Sequence, residues 1–127
     1  SVVALAQWAD YLVVACPGGA ATEHLVNAEV LQALGEQGFL INIARGSVVD
    51  EAALVAALEA GQLAGAALDV FEHEPAIPAA LLQNERVVLT PHIGSATRET
   101  RLDMDELLLQ NVAAFVNEGR LLTAVSA

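Results

Sequence analysis

The 127-residue chain has no lysine, one cysteine and few aromatic residues: one tryptophan, one tyrosine and three phenylalanines. A single thiol can form no internal disulfide. Cys16 lies in an apolar, strand-like run, so the residue reads as a small buried hydrophobe in a reducing cytoplasm rather than as a nucleophile. No apolar run reaches the roughly 18 residues of a membrane span, because acids such as Asp10, Glu23 and Glu29 break each one. A basic segment ahead of an apolar core is also lacking at the start, so no secretory leader is expected. The absence of HExxH and of any Cys/His cluster disfavours a metal site, and the absence of Gly-x-Ser-x-Gly disfavours a serine hydrolase.

Sixteen acids face five arginines, giving a net charge of −11. Such a surface repels phosphate backbones and anionic lipid, which makes nucleic acid and membranes poor partners. A site for an anionic substrate must then draw on Arg45, Arg86, Arg98, Arg101 or Arg120. The 55% hydrophobic content is enough for the core of one domain.

Residues 2–9 are helix-compatible but open without an N-cap sequence. Residues 10–16 read as a wholly buried strand stopped by Pro17-Gly18-Gly19. Thr22 is placed as the N-cap of a helix with Val26, Val30, Ala33 and Leu34 on one face, ended by Gly38. Residues 39–44 form a second buried strand running into Arg45-Gly46-Ser47. Asp50 caps a helix with Leu54, Ala57 and Leu58 inward, closed by Gly61. Residues 64–70 are a third strand rich in small residues, followed by a polar loop and a short helical turn near Pro78. Residues 87–90 are the fourth strand, and a helix from about Thr97 to Glu118 carries Leu102, Leu109, Val112 and Val116 on one stripe until Gly119. Buried strands alternating with helices imply an α/β fold of βαβ units on a parallel sheet. Right-handed crossovers put every strand C-terminus on one edge, where ligands bind in open α/β sheets. Residues 17–19, 45–46, 69–74 and 92–95 are therefore expected along one rim.

Arg45 directly follows an apolar strand, and its planar fork suits either a bound carboxylate or a salt bridge to Asp50 or Glu51. Asp69 ends the third strand as an acceptor for an amide donor or as a turn acid. Of Glu72 and Glu74, one is expected merely to be solvated; His73 is read as exposed, and His24 as lying on a solvated helix face beside Glu23 and Glu29. His92 is the sharper candidate. A carboxylate within hydrogen-bond reach would fix its tautomer and let it exchange a proton with an alcohol or alkoxide; alone, it is a structural group.

Three ordered segments carry a resemblance: Ile41-Asn42-Ile43-Ala44-Arg45-Gly46-Ser47-Val48-Val49-Asp50-Glu51, then Leu68-Asp69-Val70-Phe71-Glu72-His73-Glu74-Pro75, then Thr90-Pro91-His92-Ile93-Gly94-Ser95-Ala96-Thr97. The chain resembles the D-isomer-specific 2-hydroxyacid dehydrogenases, and Cys16-Pro17-Gly18-Gly19 with Thr22 is most similar to their glyoxylate/hydroxypyruvate reductase branch. The resemblance implies reversible hydride transfer between NAD or NADP and a small 2-oxo acid. It implies that Arg45 holds the substrate carboxylate, His92 donates and accepts the proton, and Glu74 is its carboxylate partner. It further implies that Asp69 and the Ala44 carbonyl receive the nicotinamide carboxamide, that Gly94 and Ser95 line the same pocket, and that Cys16, Pro17 and Thr22 flank the cofactor. A homodimer is expected for the parent enzyme on the same ground.

The sequence departs from that family in one respect. The Gly-x-Gly-x-x-Gly fingerprint expected after the first strand is absent, as is the residue that selects NAD or NADP. Residues 1–119 then read as the C-terminal portion of a Rossmann-type dinucleotide-binding domain, incomplete in this chain, and residues 120–127 as a tail returning to a substrate domain. The expected function is that of a dehydrogenase fragment inactive by itself. A non-catalytic interaction module built on the same half-domain is the alternative.

Overall fold

The computed structural model describes residues 1–125. They form two compact units, residues 1–92 and residues 93 onward. In the first unit, β1 (Tyr11–Val14), β2 (Phe39–Asn42), β3 (Gly65–Leu68) and β4 (Val87–Leu89) make one parallel sheet in the order β1-β2-β3-β4. The connecting helices are α2 (Ala28–Leu34), α3 (Glu51–Glu59) and the single turn α4 (Ala79–Leu82), with α1 (Val2–Trp8) ahead of β1. The α/β class and the parallel sheet are as expected. Consecutive parallel neighbours leave all four strand ends at one rim, the architecture of a Rossmann-type half-domain.

The core lies on one face of this sheet. Register places Leu12, Leu40 and Ala66 abreast, then Val14, Asn42 and Leu68, and all six are buried. Against them pack Val30, Leu31 and Leu34 of α2 and Leu54, Ala57 and Leu58 of α3. The opposite face is open: Tyr11, Val13 and Val88 are 64%, 52% and 64% exposed, and Tyr11 stacks on Phe39 with ring centroids 5.3 Å apart. The expectation of strands buried on both faces is corrected here. Continuous apolar runs encode two apolar faces, and among the described residues only one is covered.

Helix ends differ from the sequence reading in instructive ways. Ser1 caps α1 by accepting from the Ala4 N–H, so a cap is present after all. Thr22 is not a helix cap: its hydroxyl donates to the Pro17 carbonyl at 2.7 Å and folds the turn, while Asn27 caps α2 through the Val30 N–H. Gly35, at φ 79°, ends α2. Gly38 serves close packing instead, since a Cβ there would lie 2.5 Å from Leu34 Cγ. Val26 precedes the helix and forms a parallel bridge with Val49. Asp50 caps α3 through the Ala53 N–H and Gly61 follows it at φ 69°, both as read.

The second unit is the helix α5 (Arg98–Glu118), capped by Thr97 and ended by the left-handed Gly119. Its last turns are tied by the Asn111 side chain, whose Oδ1 accepts from the Leu122 and Thr123 N–H groups. The apolar stripe of Leu102, Leu109, Val112 and Val116 is exposed, and Ala114 is the buried residue of the helix. The last two residues of the 120–127 segment lie outside the described residues.

Candidate active site at the strand ends

Three loops of the first unit meet at the rim, and backbone chemistry fixes each. After β2, the buried Asn42 side chain accepts from the Ala44 N–H and donates to the Arg45 carbonyl, both at 3.0 Å. This polar turn reverses the chain and presents Arg45 outward. Gly46 follows, and a Cβ on it would fall 1.9 Å from the Phe71 carbonyl carbon and oxygen, so only glycine lets the post-β2 loop touch the post-β3 loop. Gly18 makes the third contact, because a Cβ there would sit 2.8 Å from Arg45 Cγ. The guanidinium stem thus lies across the turn that follows β1.

His92 follows β4 at φ 53°, in the left-handed region. Its N–H donates to the Asp69 carbonyl at 2.8 Å. Its Nδ1 lies 2.9 Å from Glu74 Oε2, while Glu74 Oε1 accepts from the Phe71 N–H at 3.0 Å. The His92 hydrogen bond, then the Phe71 N–H, hold the Glu74 carboxyl below its usual range, and the Arg45 charge acts in the same direction. Arg45, Glu74 and His92 are therefore neighbours at one rim. The ring is gripped at its near nitrogen, and among the described residues no protein group bonds Nε2.

Asp69 is buried, and its Oδ1 accepts from the Thr90 hydroxyl at 2.5 Å. The Ala44 carbonyl accepts from Arg45 Nη1 at 2.7 Å; a carbonyl has two lone pairs, so a second donor can still be received. Arg45 forms no ion pair with Asp50 or Glu51 among the described residues. Arg86 is committed elsewhere, donating to the Leu58 carbonyl in the last turn of α3 and to the Leu63 carbonyl after it, and Arg120 pairs with Glu118. Cys16, Pro17, Gly18 and Gly19 line a rim cleft of about 680 Å³ together with Ala44, Arg45 and Ser47. Thr22 braces its turn. Gly94 and Ser95 belong to the second unit and are not part of this geometry.

His24 and Glu72 depart from the sequence reading. His24 is in no helix; it adopts φ 48° and its Nε2 lies 2.7 Å from Glu72 Oε1. Glu72 is thereby partnered, not merely solvated. Asn42, Thr90 and Glu51 were also passed over as helpers of the site. A polar Asn inside an apolar run was the available signal for the first; the others are set by contacts between loops distant in sequence.

The cleft, the carbonyl and carboxylate acceptors beside it and the arginine at its mouth fit the nicotinamide end of a dinucleotide. Comparison with known proteins agrees. The family of the D-isomer specific 2-hydroxyacid dehydrogenase, NAD binding domain, matches residues 1–94, and the chain belongs to that family. Hydroxyphenylpyruvate reductase of Plectranthus scutellarioides is 54% identical over 125 residues, 98% of this chain and 40% of that protein. Glyoxylate/hydroxypyruvate reductase A of Arabidopsis thaliana is 53% identical over the same shares. A crystal structure of an NADPH-dependent glyoxylate/hydroxypyruvate reductase from Sinorhizobium meliloti, in complex with NADP and malonate, superimposes with a TM-score of 0.94 at 51% identity, covering 99% of this chain and 40% of that one. The chain thus spans about 40% of the length of these relatives. No helix among the described residues is long and apolar enough to cross a membrane.

Proposed function

We propose that these residues form the proton-transfer and carboxylate-binding half of a cytoplasmic NAD(P)-dependent D-2-hydroxyacid dehydrogenase acting on a small 2-oxo acid such as glyoxylate or hydroxypyruvate. The observation that carries the proposal is the His92 Nδ1–Glu74 hydrogen bond beside Arg45, which forms no ion pair with an acid among the described residues. Arg45 grips the substrate carboxylate with its planar fork. Glu74 accepts from Nδ1–H and so leaves Nε2 as the exchanging position: in the protonated ring Nε2–H delivers its proton to the carbonyl oxygen as negative charge develops there, and the neutral ring takes it back in the reverse direction. A bound nicotinamide supplies hydride to the carbonyl carbon. Asp69 and the Ala44 carbonyl receive its carboxamide, with Cys16, Pro17 and Thr22 alongside. Residues 1–119 then act as part of the dinucleotide-binding domain, residues from 120 onward return to a substrate domain, and the enzyme works as a homodimer.

The test is NADH and NADPH oxidation by a full-length enzyme carrying this segment, with glyoxylate and hydroxypyruvate as acceptors, and by the 127-residue chain alone. Turnover to the D-hydroxy acid by the former and none by the latter is expected. Absence of turnover in the full-length protein would overturn the catalytic reading in favour of an interaction module.

A further inference from the structure

The rim contains a second histidine–glutamate pair that the reaction above does not use. Glu72 Oε1 meets His24 Nε2 from the loop after β1, and Glu72 Oε2 accepts from the Glu51 N–H at 3.4 Å at the start of α3. The contact with α3 is reciprocal, because the Glu72 N–H donates to Glu51 Oε2 at 3.2 Å. The β1 loop is stitched to the β2 loop as well: the His24 N–H donates to the Ser47 carbonyl at 2.9 Å, and the Val26 N–H to the Val48 carbonyl at 3.0 Å. One carboxylate therefore ties together the three loops that carry Cys16 and Pro17, Arg45, and Glu74.

Its position matters for the reacting groups. Phe71, immediately before Glu72, supplies the N–H that anchors Glu74, and the Phe71–Glu72 peptide is the surface against which Gly46 packs, next to Arg45. A displacement of Glu72 is thus passed to both Arg45 and Glu74. Charge explains why a histidine completes the arrangement. Glu72 lies against Glu51 in a chain of net charge −11, and His24, a side chain able to take up a proton, is the partner that reaches its carboxylate. The groups facing His24 are Glu72 from the β3 loop, Asp50 from the β2 loop and Glu23 on its own segment, all acidic.

We propose that Glu72, clamped by His24 and the Glu51 amide, is a positioning residue that sets the spacing of Arg45 against the Glu74–His92 pair. The proposal rests on the dehydrogenase reading for its consequence in rate, but its geometric content can be measured without turnover. Nuclear magnetic resonance of the 127-residue chain would follow the Glu74 carboxyl titration and the Phe71 amide in Glu72→Ala, Glu72→Gln and His24→Asn, with His73→Ala as the control in the same loop. Asparagine tolerates the left-handed backbone of His24 but is too short to span to Glu72.

Glu72→Ala and His24→Asn should each raise the Glu74 titration toward the ordinary range and shift the Phe71 amide. Glu72→Gln, which keeps one acceptor oxygen, should lie between them and the parent, and His73→Ala should change neither signal. In the full-length enzyme Glu72→Ala should lower kcat/KM for the 2-oxo acid roughly 10- to 100-fold, the scale of a small misplacement of reacting groups. An unchanged Glu74 titration and Phe71 amide in folded Glu72→Ala would overturn the clamp; should that variant not fold, the same two signals in His24→Asn decide. If the wild-type full-length protein shows no turnover while these signals move as expected, the dehydrogenase reading fails and the clamp stands.

Discussion

The rim holds two histidine–glutamate pairs built from the same parts and turned in opposite directions. His92 and His24 both adopt left-handed backbone, at φ 53° and 48°, and each meets a glutamate of the loop after β3. His92 is held by Nδ1, close to its own backbone, which leaves the outer nitrogen out of that contact. His24 is held by the outer nitrogen, so its ring spans a gap between loops. Ring orientation separates a group that can hand over a proton from one that serves as a strut. Sequence neighbourhood alone does not separate them, since Glu72 and Glu74 are two residues apart.

The largest expected difference between the pairs is in rate. His92→Asn in the full-length enzyme should lower kcat by roughly 10²–10⁴-fold, the usual yield of positioned acid–base catalysis, while leaving the melting temperature near that of the parent. Stopped-flow NADPH oxidation with circular-dichroism melts checks both halves, and a kcat within a factor of two of the parent would remove His92 from the chemistry.

A smaller contrast lies in acid. Glu74 titrates below its usual 4.5 because of His92 and the Phe71 N–H. Its folded pKa is depressed, so its contribution to stability is fully present above 4.5 and fades as pH falls through the lowered value. The melting-temperature gap between parent and Glu74→Gln should hold from neutral pH to about 5 and close below it. A gap that stays constant down to the lowest pH would show that this pair contributes nothing ionic to the fold.

The smallest effect has the opposite sign. The Glu72 hydrogen bond raises His24 above 6.5, with Glu72, Asp50 and Glu23 adding their charge and desolvation opposing. A raised folded pKa gives stability that is complete below 6.5 and lost as pH rises through the raised value. The pair is solvent-facing and screened, so the gap between parent and His24→Asn should be slight even in weak acid and vanish in alkali. A gap that grew with pH would contradict the pairing.

Much of the scaffold was readable from local pattern. The four strands, the Asp50 cap, the inward Leu54-Ala57-Leu58 stripe and the terminating Gly61 and Gly119 follow from apolar periodicity and cap chemistry, which are nearest-neighbour effects. Arg45, Glu74 and His92 were legible because each directly follows a strand or its loop in a parallel sheet, where topology alone brings strand ends together. Thr22, Gly38 and His24 were misplaced because their partners, Pro17, Leu34 and Glu72, matter more than their helical neighbours. His24 and Glu72 are 48 residues apart, a pairing no local window contains. The stripe on α5 is exposed, since periodicity reports that an apolar face exists and not that anything covers it.

That same distinction governs the open face of the sheet. Tyr11, Val13 and Val88 keep more than half of their surface in water in the folded chain, and Phe39 more than a third. Unfolding therefore uncovers less new apolar surface than the length implies, and both the heat-capacity increment and the denaturant slope shrink with it. The result is a protein with a shallow stability curve, one whose fold changes little in strength between cold and warm and yields gradually to urea.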